Sequence, residues 1–306
     1  MIPLIYILAL LITGALVGLV SGMLGVGGCF IMIPVQFWIL TTMGIDPTIA
    51  IRVAFGTNLL VVFLTAISGS FRHHKKEVVL WRQAITLGLT SMAFTFAGAY
   101  LASVLSGNIL KIMFGLAILL GALRMITAHP IRVQGEPHAN PVTYIFLGII
   151  FGFVTGLIGI GGGVLMVPLM VIFLNYHMHE AVGTSTAVMI FTSLGGAIAY
   201  MLYGLNASGL PPYSIGYVNL LQWILLAATS IPMAQLGVHL THKINPKSLK
   251  WVFIVVMIYM GLKMIGIFSW LGCLYKNNSS PFPYEVVTFF VIFIIQRNTI
   301  FRCWKV

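Results

Sequence analysis

Charge is what this chain has least of. Only 7% of its 306 residues are Asp, Glu, Lys or Arg, and the acidic ones number five: Asp46, Glu77, Glu136, Glu180 and Glu285. Soluble domains carry roughly 25% charged residues, so a soluble globular fold is excluded. All five acids sit in connections or at the ends of apolar runs. A buried carboxylate relay for protons is therefore not visible. Cysteine is scarce as well. Cys29, Cys273 and Cys303 are odd in number and far apart, which gives neither a disulfide framework nor a metal motif. His73-His74 and His177-x-His179 have no paired carboxylates beside them, and no nucleophile stands next to a base. An intramembrane enzyme is disfavoured on these grounds, and no cofactor or metal is implied.

What is present is apolar. Hydrophobic residues make up 59% of the chain and the mean hydropathy is +1.05. Apolar runs fall at about 3–22, 28–41, 48–71, 79–104 and 109–127, then at about 142–158, 162–174, 180–204, 216–240 and 249–271. They do not alternate in polarity as barrel strands do. The fold class is all-α: a polytopic helical membrane protein. The first run lacks a basic leader and a cleavage site, so it reads as the first membrane helix. The expected setting is a multi-pass protein of a plasma or inner membrane. The net charge of +11 does not point to nucleic acid, because Lys and Arg gather in connections and no basic stripe interleaves aromatics for stacking. The run Arg72-His73-His74-Lys75-Lys76 reads as a cytoplasmic basic loop, with lipid headgroup contact as the alternative.

The chain also says something twice. Residues 18–34 (GLVSGMLGVGGCFIMIP) align without a gap on residues 152–168 (GFVTGLIGIGGGVLMVP). The match continues in Ala54-Phe55-Gly56-Thr57-Asn58 against Ala181-Val182-Gly183-Thr184-Ser185, and in Leu123-Arg124-Met125-Ile126 against Leu262-Lys263-Met264-Ile265. Two homologous repeats follow, at 1–127 and 142–271, joined by a polar cytoplasmic linker at 128–141. A tail of unknown role, 272–306, belongs to neither repeat.

Loop charge orients the repeats. The loop 71–82 holds Arg72, Lys75, Lys76 and Arg82, whereas its counterpart at 205–216 holds no charge. One loop later the bias reverses, with Lys111 alone against Lys243, Lys247 and Lys250. By the positive-inside rule, equivalent loops lie on opposite sides. The halves are then inverted, five segments each, with the N-terminus outside. The second segment of each half is too short for a full span and reads as a half-helix or re-entrant piece.

Glycine breaks mark the candidate site. Gly25, Gly27 and Gly28 in one half, and Gly159, Gly161, Gly162 and Gly163 in the other, interrupt apolar runs. Glycine lets the backbone leave helical geometry and approach a ligand. A helix restarting after the break presents free N–H groups and partial positive charge, which suits a small anion. Close helix packing through small residues is the competing reading, but a break repeated in two halves is the pattern of a transporter site. Thr57, Asn58, Thr184 and Ser185 offer matched polar groups, either to the anion or to their own helix carbonyls. Arg52 and His179 each lie four residues before the repeated Gly-Thr pair, so both halves place a potential cation at one position. Snorkelling at headgroup level is the alternative for both. If protons are coupled, His177, His179 and Glu180 are the carriers on offer. A homo-oligomer is compatible with this scaffold.

The paired G-x-x-[ST]-G-x-x-G-x-G-G…P stretches and the paired A-x-G-T-[SN] stretches resemble the TauE/SafE family of sulfite exporters and related anion permeases, over about residues 4–270. The resemblance implies a secondary transporter of sulfite, of sulfonates such as sulfoacetate, or of related small organic and sulfur anions. Two positions depart from the pattern: Cys29 stands where the second half has Gly163, and Asn58 where it has Ser185.

Overall fold

The computed structural model describes residues 4–24, 28–127, 141–174, 176–240 and 246–267. Among them lie ten helices and one two-stranded hairpin. The first five helices are α1 (Leu4–Leu24), α2 (Cys29–Thr42), α3 (Pro47–Lys75), α4 (Trp81–Val104) and α5 (Gly107–Thr127). The second five are α6 (Pro141–Ile158), α7 (Gly163–Phe173), α8 (Met178–Gly204), α9 (Leu220–Leu240) and α10 (Pro246–Ile265). Strands β1 (Ser214–Ile215) and β2 (Val218–Asn219) pair antiparallel just before α9. The expected linker at 128–141, apart from Pro141 at the start of α6, and the expected tail at 272–306 lie outside the described residues, as do Gly25 and Gly27.

The helices begin and end where the sequence gives local reasons. Asp46 caps α3, its carboxylate accepting from the Thr48 and Ile49 amides at 2.8 and 3.3 Å, with Pro47 at the first helical position. At α8 the Glu180 carboxylate accepts from the His177 amide at 3.1 Å, one arm of a capping box. By contrast, α2 and α7 start on glycines, Gly28 and Gly162, and neither start has a side-chain cap.

Length sorts the helices. Helices α3, α4, α5, α6 and α8 are long and apolar enough to cross a membrane, which makes the chain an integral multi-pass protein. Helix α2 has 14 residues and α7 has 11, so they rise only about 21 and 17 Å against a hydrocarbon core of about 30 Å. Long helices turn an apolar stripe outward, as Leu116, Leu120 and Leu123 of α5 do. The interior is filled by Phe30, Ile33, Phe55, Leu59, Phe114 and Tyr200.

Pairing runs across the linker. Helix α1 packs along α9, and α4 along α6. A Cβ on Gly14 would overlap the Thr229 hydroxyl, and one on Gly148 the Thr90 hydroxyl. Likewise a Cβ on Gly18 would overlap the Ser230 carbonyl oxygen, and one on Gly152 that of Ser91. Small residues let backbones close up where no hydrophobic effect drives helices together. Helices α3 and α8 pack centrally and run antiparallel, because Gly56 meets Tyr200, Gly196 meets Leu59 and Gly69 meets Thr186. Helices α5 and α10 are also antiparallel: Gly115 meets Ile265 and Gly261 meets Leu119.

Candidate functional site

The break between α6 and α7 is built from backbone. Gly159, Gly161 and Gly162 have φ of 66°, 78° and 95°, in the left-handed region that glycine enters without strain. The segment is buried and pressed on α3. A Cβ on Gly159 would stand 2.5 Å from the Phe55 Cβ, and one on Gly161 would stand 2.8 Å from Val62. Gly163 opens α7, whose first-turn N–H groups have no partner within the helix. In the other half Gly28 opens α2, its backbone packed on Val17 of α1 so closely that a Cβ would overlap that side chain. Cys29, where the second half has Gly163, is the first residue of α2 and is buried.

Helices α3 and α8 hold the breaks. The Asn58 amide donates to the Gly159 carbonyl at 2.7 Å. The Thr192 hydroxyl lies 3.4 Å from the Gly161 carbonyl. Of the polar residues expected around a site, Asn58 therefore reaches a break directly. Ser185, its counterpart, bonds back to the Val182 carbonyl of its own helix at 3.0 Å.

The repeated Gly-Thr pair has a definite job. Thr57 accepts from the Asn219 amide at 2.9 Å, at the start of α9. Thr184 accepts from the Leu80 amide at 3.2 Å, at the start of α4. The preceding glycines make room. A Cβ on Gly56 would overlap the Tyr217 carbonyl oxygen, and one on Gly183 would stand 2.8 Å from that of Val78. Each threonine thus takes up a backbone donor at the start of a helix from the opposite half. The hairpin assists on one side, where Asn219 accepts from the Gln222 amide at 2.9 Å and donates to the Pro212 carbonyl at 2.9 Å.

The two expected cations part company. Arg52 is half-buried and committed. Its guanidinium donates to the Ala102 carbonyl at 3.1 Å, the Leu105 carbonyl at 2.9 Å and the Tyr217 hydroxyl at 3.2 Å. It thereby satisfies the end of α4, where carbonyls lack intrahelical partners. His179 is exposed in the first turn of α8. Among the described residues neither side chain hydrogen-bonds a glycine break.

Among the described residues the interior also holds polar groups with no partner. Gln36 of α2 is fully buried and neither end of its amide is bonded; Asn58 Oδ1 and the hydroxyls of Ser91 and Ser230 are in the same state. Gln36 was legible as the one amide inside an otherwise apolar second run. Ser91 and Ser230 occupy equivalent places in α4 and α9, against Gly152 and Gly18. Buried polar groups are nearly always paired, so each such group marks ground for a ligand or water. A cavity of about 20 Å³, room for one water, lies between α1, the end of α2 and the start of α9, lined by Tyr6, Leu10, Pro212, Asn219 and Gln222. Among the described residues no group of three metal-ligating side chains converges.

Comparison with known proteins gives the family. The family described as sulfite exporter TauE/SafE matches residues 10–264. A probable membrane transporter protein of Methanocaldococcus jannaschii is 34% identical over 257 residues, covering 84% of this chain and 94% of that protein. A probable membrane transporter protein of Bacillus subtilis is 26% identical over 280 residues, covering 85% and 98%. No solved structure matches. A multi-pass helical bundle with two glycine-started short helices, matched over nearly its whole described length, is a membrane transporter and not an enzyme, and the chain belongs to the sulfite exporter TauE/SafE family.

Proposed function

We propose that this protein is a secondary transporter that moves a small anion by alternating access: sulfite, an organosulfonate such as sulfoacetate, or a related organic or sulfur anion. The observation that carries the reading is the pair of short helices, α2 and α7, that start on uncapped glycines inside an apolar bundle. The dipoles at these helix starts favour negative charge. Bilayer interiors tolerate such backbone only where protein or a watery cavity meets it. The substrate site then comprises Gly25, Gly27 and Gly28 on one side and Gly159, Gly161, Gly162 and Gly163 on the other. Asn58, Thr57, Thr184 and Ser185 flank it, with Arg52 and His179 at its approaches.

The repeats at 1–127 and 142–271 are read as inverted, with the N-terminus outside and the 128–141 linker inside. The antiparallel courses of α3 against α8 and of α5 against α10 support this, since inverted equivalents must oppose each other. Crosswise packing of α1 on α9 and α4 on α6 favours moving bodies that each contain helices of both repeats. Proton coupling remains part of the proposal. Glu180 and His177 also cap α8, so they serve structure whatever their part in coupling.

The test is counterflow of radiolabelled sulfite in liposomes carrying the purified protein, with sulfate and acetate as competitors. Saturable exchange is the expected result. Flux without saturation, together with single-channel currents in planar bilayers, would replace the carrier by an anion channel on the same scaffold. Gly161→Val should reduce exchange to background while insertion into the membrane persists, because valine at φ 78° is strained and presses on Val62. Normal exchange by that variant would remove the break from the site.

A further inference from the structure

The two ends of the Asn58 amide have different fates. Nδ2 donates to the Gly159 carbonyl at 2.7 Å. Oδ1 is sealed from solvent and meets no donor among the described residues. The bond to Gly159 fixes which way the amide faces, because only the NH₂ end can donate to a carbonyl. What remains is a buried acceptor at the α6–α7 break, and leaving it unpaired is costly. The repeat does not impose it, since the matching position holds Ser185 with its hydroxyl bonded to its own helix.

The break therefore presents two kinds of polar group. The N–H groups at the start of α7 reward oxygens that carry negative charge. Asn58 Oδ1 rewards a hydrogen donor and opposes a bare oxyanion through its lone pairs. Among the described residues no carboxylate stands inside the bundle to supply a proton, and the imidazoles lie at helix ends. Asp46 precedes α3, Glu77 follows it, and Glu180 and His179 lie in the first turn of α8. The other described titratable or charged groups on α3 and on elements packed against it are Arg52, tied to the end of α4, Arg72, His73, His74 and Lys75 in the last turn of α3, His177 at the cap of α8, the Tyr200 hydroxyl, given to the Gly156 carbonyl, Tyr203, Tyr217, Cys29, Lys111 and Arg124.

We propose that Asn58 Oδ1 selects an anion bearing its own hydroxyl proton: a singly charged oxyanion with one O–H, of which hydrogensulfite in its hydroxyl form is the sulfur member. The charged oxygens sit at the α7 start and the O–H donates to Asn58. The proton crosses on the substrate, and the bundle needs no internal proton carrier. This inference rests on the transporter reading above and sharpens it to a protonation state.

Methanesulfinate places a methyl group where hydrogensulfite has its hydroxyl, so the two anions differ at the atom in question. The full-length protein in liposomes would be assayed for radiolabelled sulfite exchange with each as competitor, on both sides of the second ionisation of sulfite. Sites built to bond a hydroxyl reject analogues that lack it, so hydrogensulfite should compete at a concentration lower by at least about tenfold. Exchange should decline as the dianion replaces the monoanion, while inhibition by methanesulfinate stays flat with pH. Asn58→Leu and Asn58→Ser should shrink the preference. The wild-type pair decides the matter if neither variant folds. Equal competition by the two anions in protein that exchanges sulfite would overturn the inference and leave the carrier standing. Exchange that requires sodium and ignores pH would also overturn it, giving Oδ1 to a cation. Absence of exchange from folded protein would remove the sulfite-carrier reading, and this inference with it.

Discussion

Two features repeat one turn apart on α3 and α8, and they behave oppositely. Thr57 and Thr184 do the same work, each receiving a backbone donor at the start of a helix from the other half. Arg52 and His179, four residues before the preceding glycines, share only a position. Arg52 closes the end of α4 and rests on Tyr217, whereas His179 is exposed. Repetition of a residue type together with its spacing tracks a shared structural role. Repetition of charge alone does not. The Gly-Thr pair is first a joint between halves, and the glycine breaks it supports are the better candidates for ligand contact.

The comparison breaks most sharply at the glycines of that joint. Gly56→Val would drive a side chain into the Tyr217 backbone, and Gly183→Val would meet Val78 less severely. Overpacking of a rigid neighbour costs about 1–3 kcal/mol and more where backbone must move. Gly56→Val should therefore lose most folded protein in detergent size-exclusion profiles, with Gly183→Val retaining more. Equal tolerance of both would refute the close approach.

Next in size is the contrast between the cations. Arg52→Ala leaves two carbonyls and a tyrosine hydroxyl without their donor, at roughly 1–3 kcal/mol. His179→Ala, at an exposed site, should stay within about 0.5 kcal/mol. Thermal unfolding of the two purified variants would show whether the ranking holds. A smaller and symmetric effect is expected of the threonines. Thr57→Val and Thr184→Val each remove one acceptor, with a cost of about 1 kcal/mol, and the two should fall close together. Widely different losses would mean that the joints are not equivalent.

The smallest effect concerns the start of α3. The Thr48 amide holds the Asp46 carboxyl below its ordinary range. A carboxylate with a depressed folded value stabilises the protein above its unfolded value and stops doing so as pH falls through the folded one. Acidification should thus remove a small stabilisation that Asp46→Asn lacks at every pH. Parallel acid-unfolding curves for the wild type and this variant would argue against the cap.

Much of this was legible in advance because the bilayer makes sequence speak plainly. Apolar runs must become helices when every backbone group needs a partner, and each of the ten runs became one, with ends displaced by a few residues. The breaks at Gly159–Gly163 are equally visible, since several glycines crowded into a few positions of an apolar run break it, whereas single ones such as Gly14 and Gly148 let helices pack. Partnership was not visible. Nothing in the sequence says that Gly14 and Gly18 meet Thr229 and Ser230, because small residues advertise closeness without naming a neighbour. The acceptors of Arg52 are backbone carbonyls, which leave no trace in residue identity. The β1–β2 hairpin leaves no pattern in the sequence because its strands are two residues each, and its turn relies on Gly216 at φ 55° after Tyr213 at φ 63°. Gln36 was there to be read, but a single amide in an apolar run gives no period to detect.

The pairing of α1 with α9 and of α4 with α6 also has a consequence for synthesis. A ribosome delivers α1 long before α9 exists. Until then the Gly14 and Gly18 face of α1 can meet only lipid or a helper protein, and lipid fills such a notch poorly. Release of α6 gives α4 its neighbour first, and α1 waits longest. The first half is therefore an unfinished assembly at the moment the linker leaves the ribosome. Completion comes from the far end of the message, so a chain stopped early exposes its own seam to whatever surveys the membrane for orphaned helices.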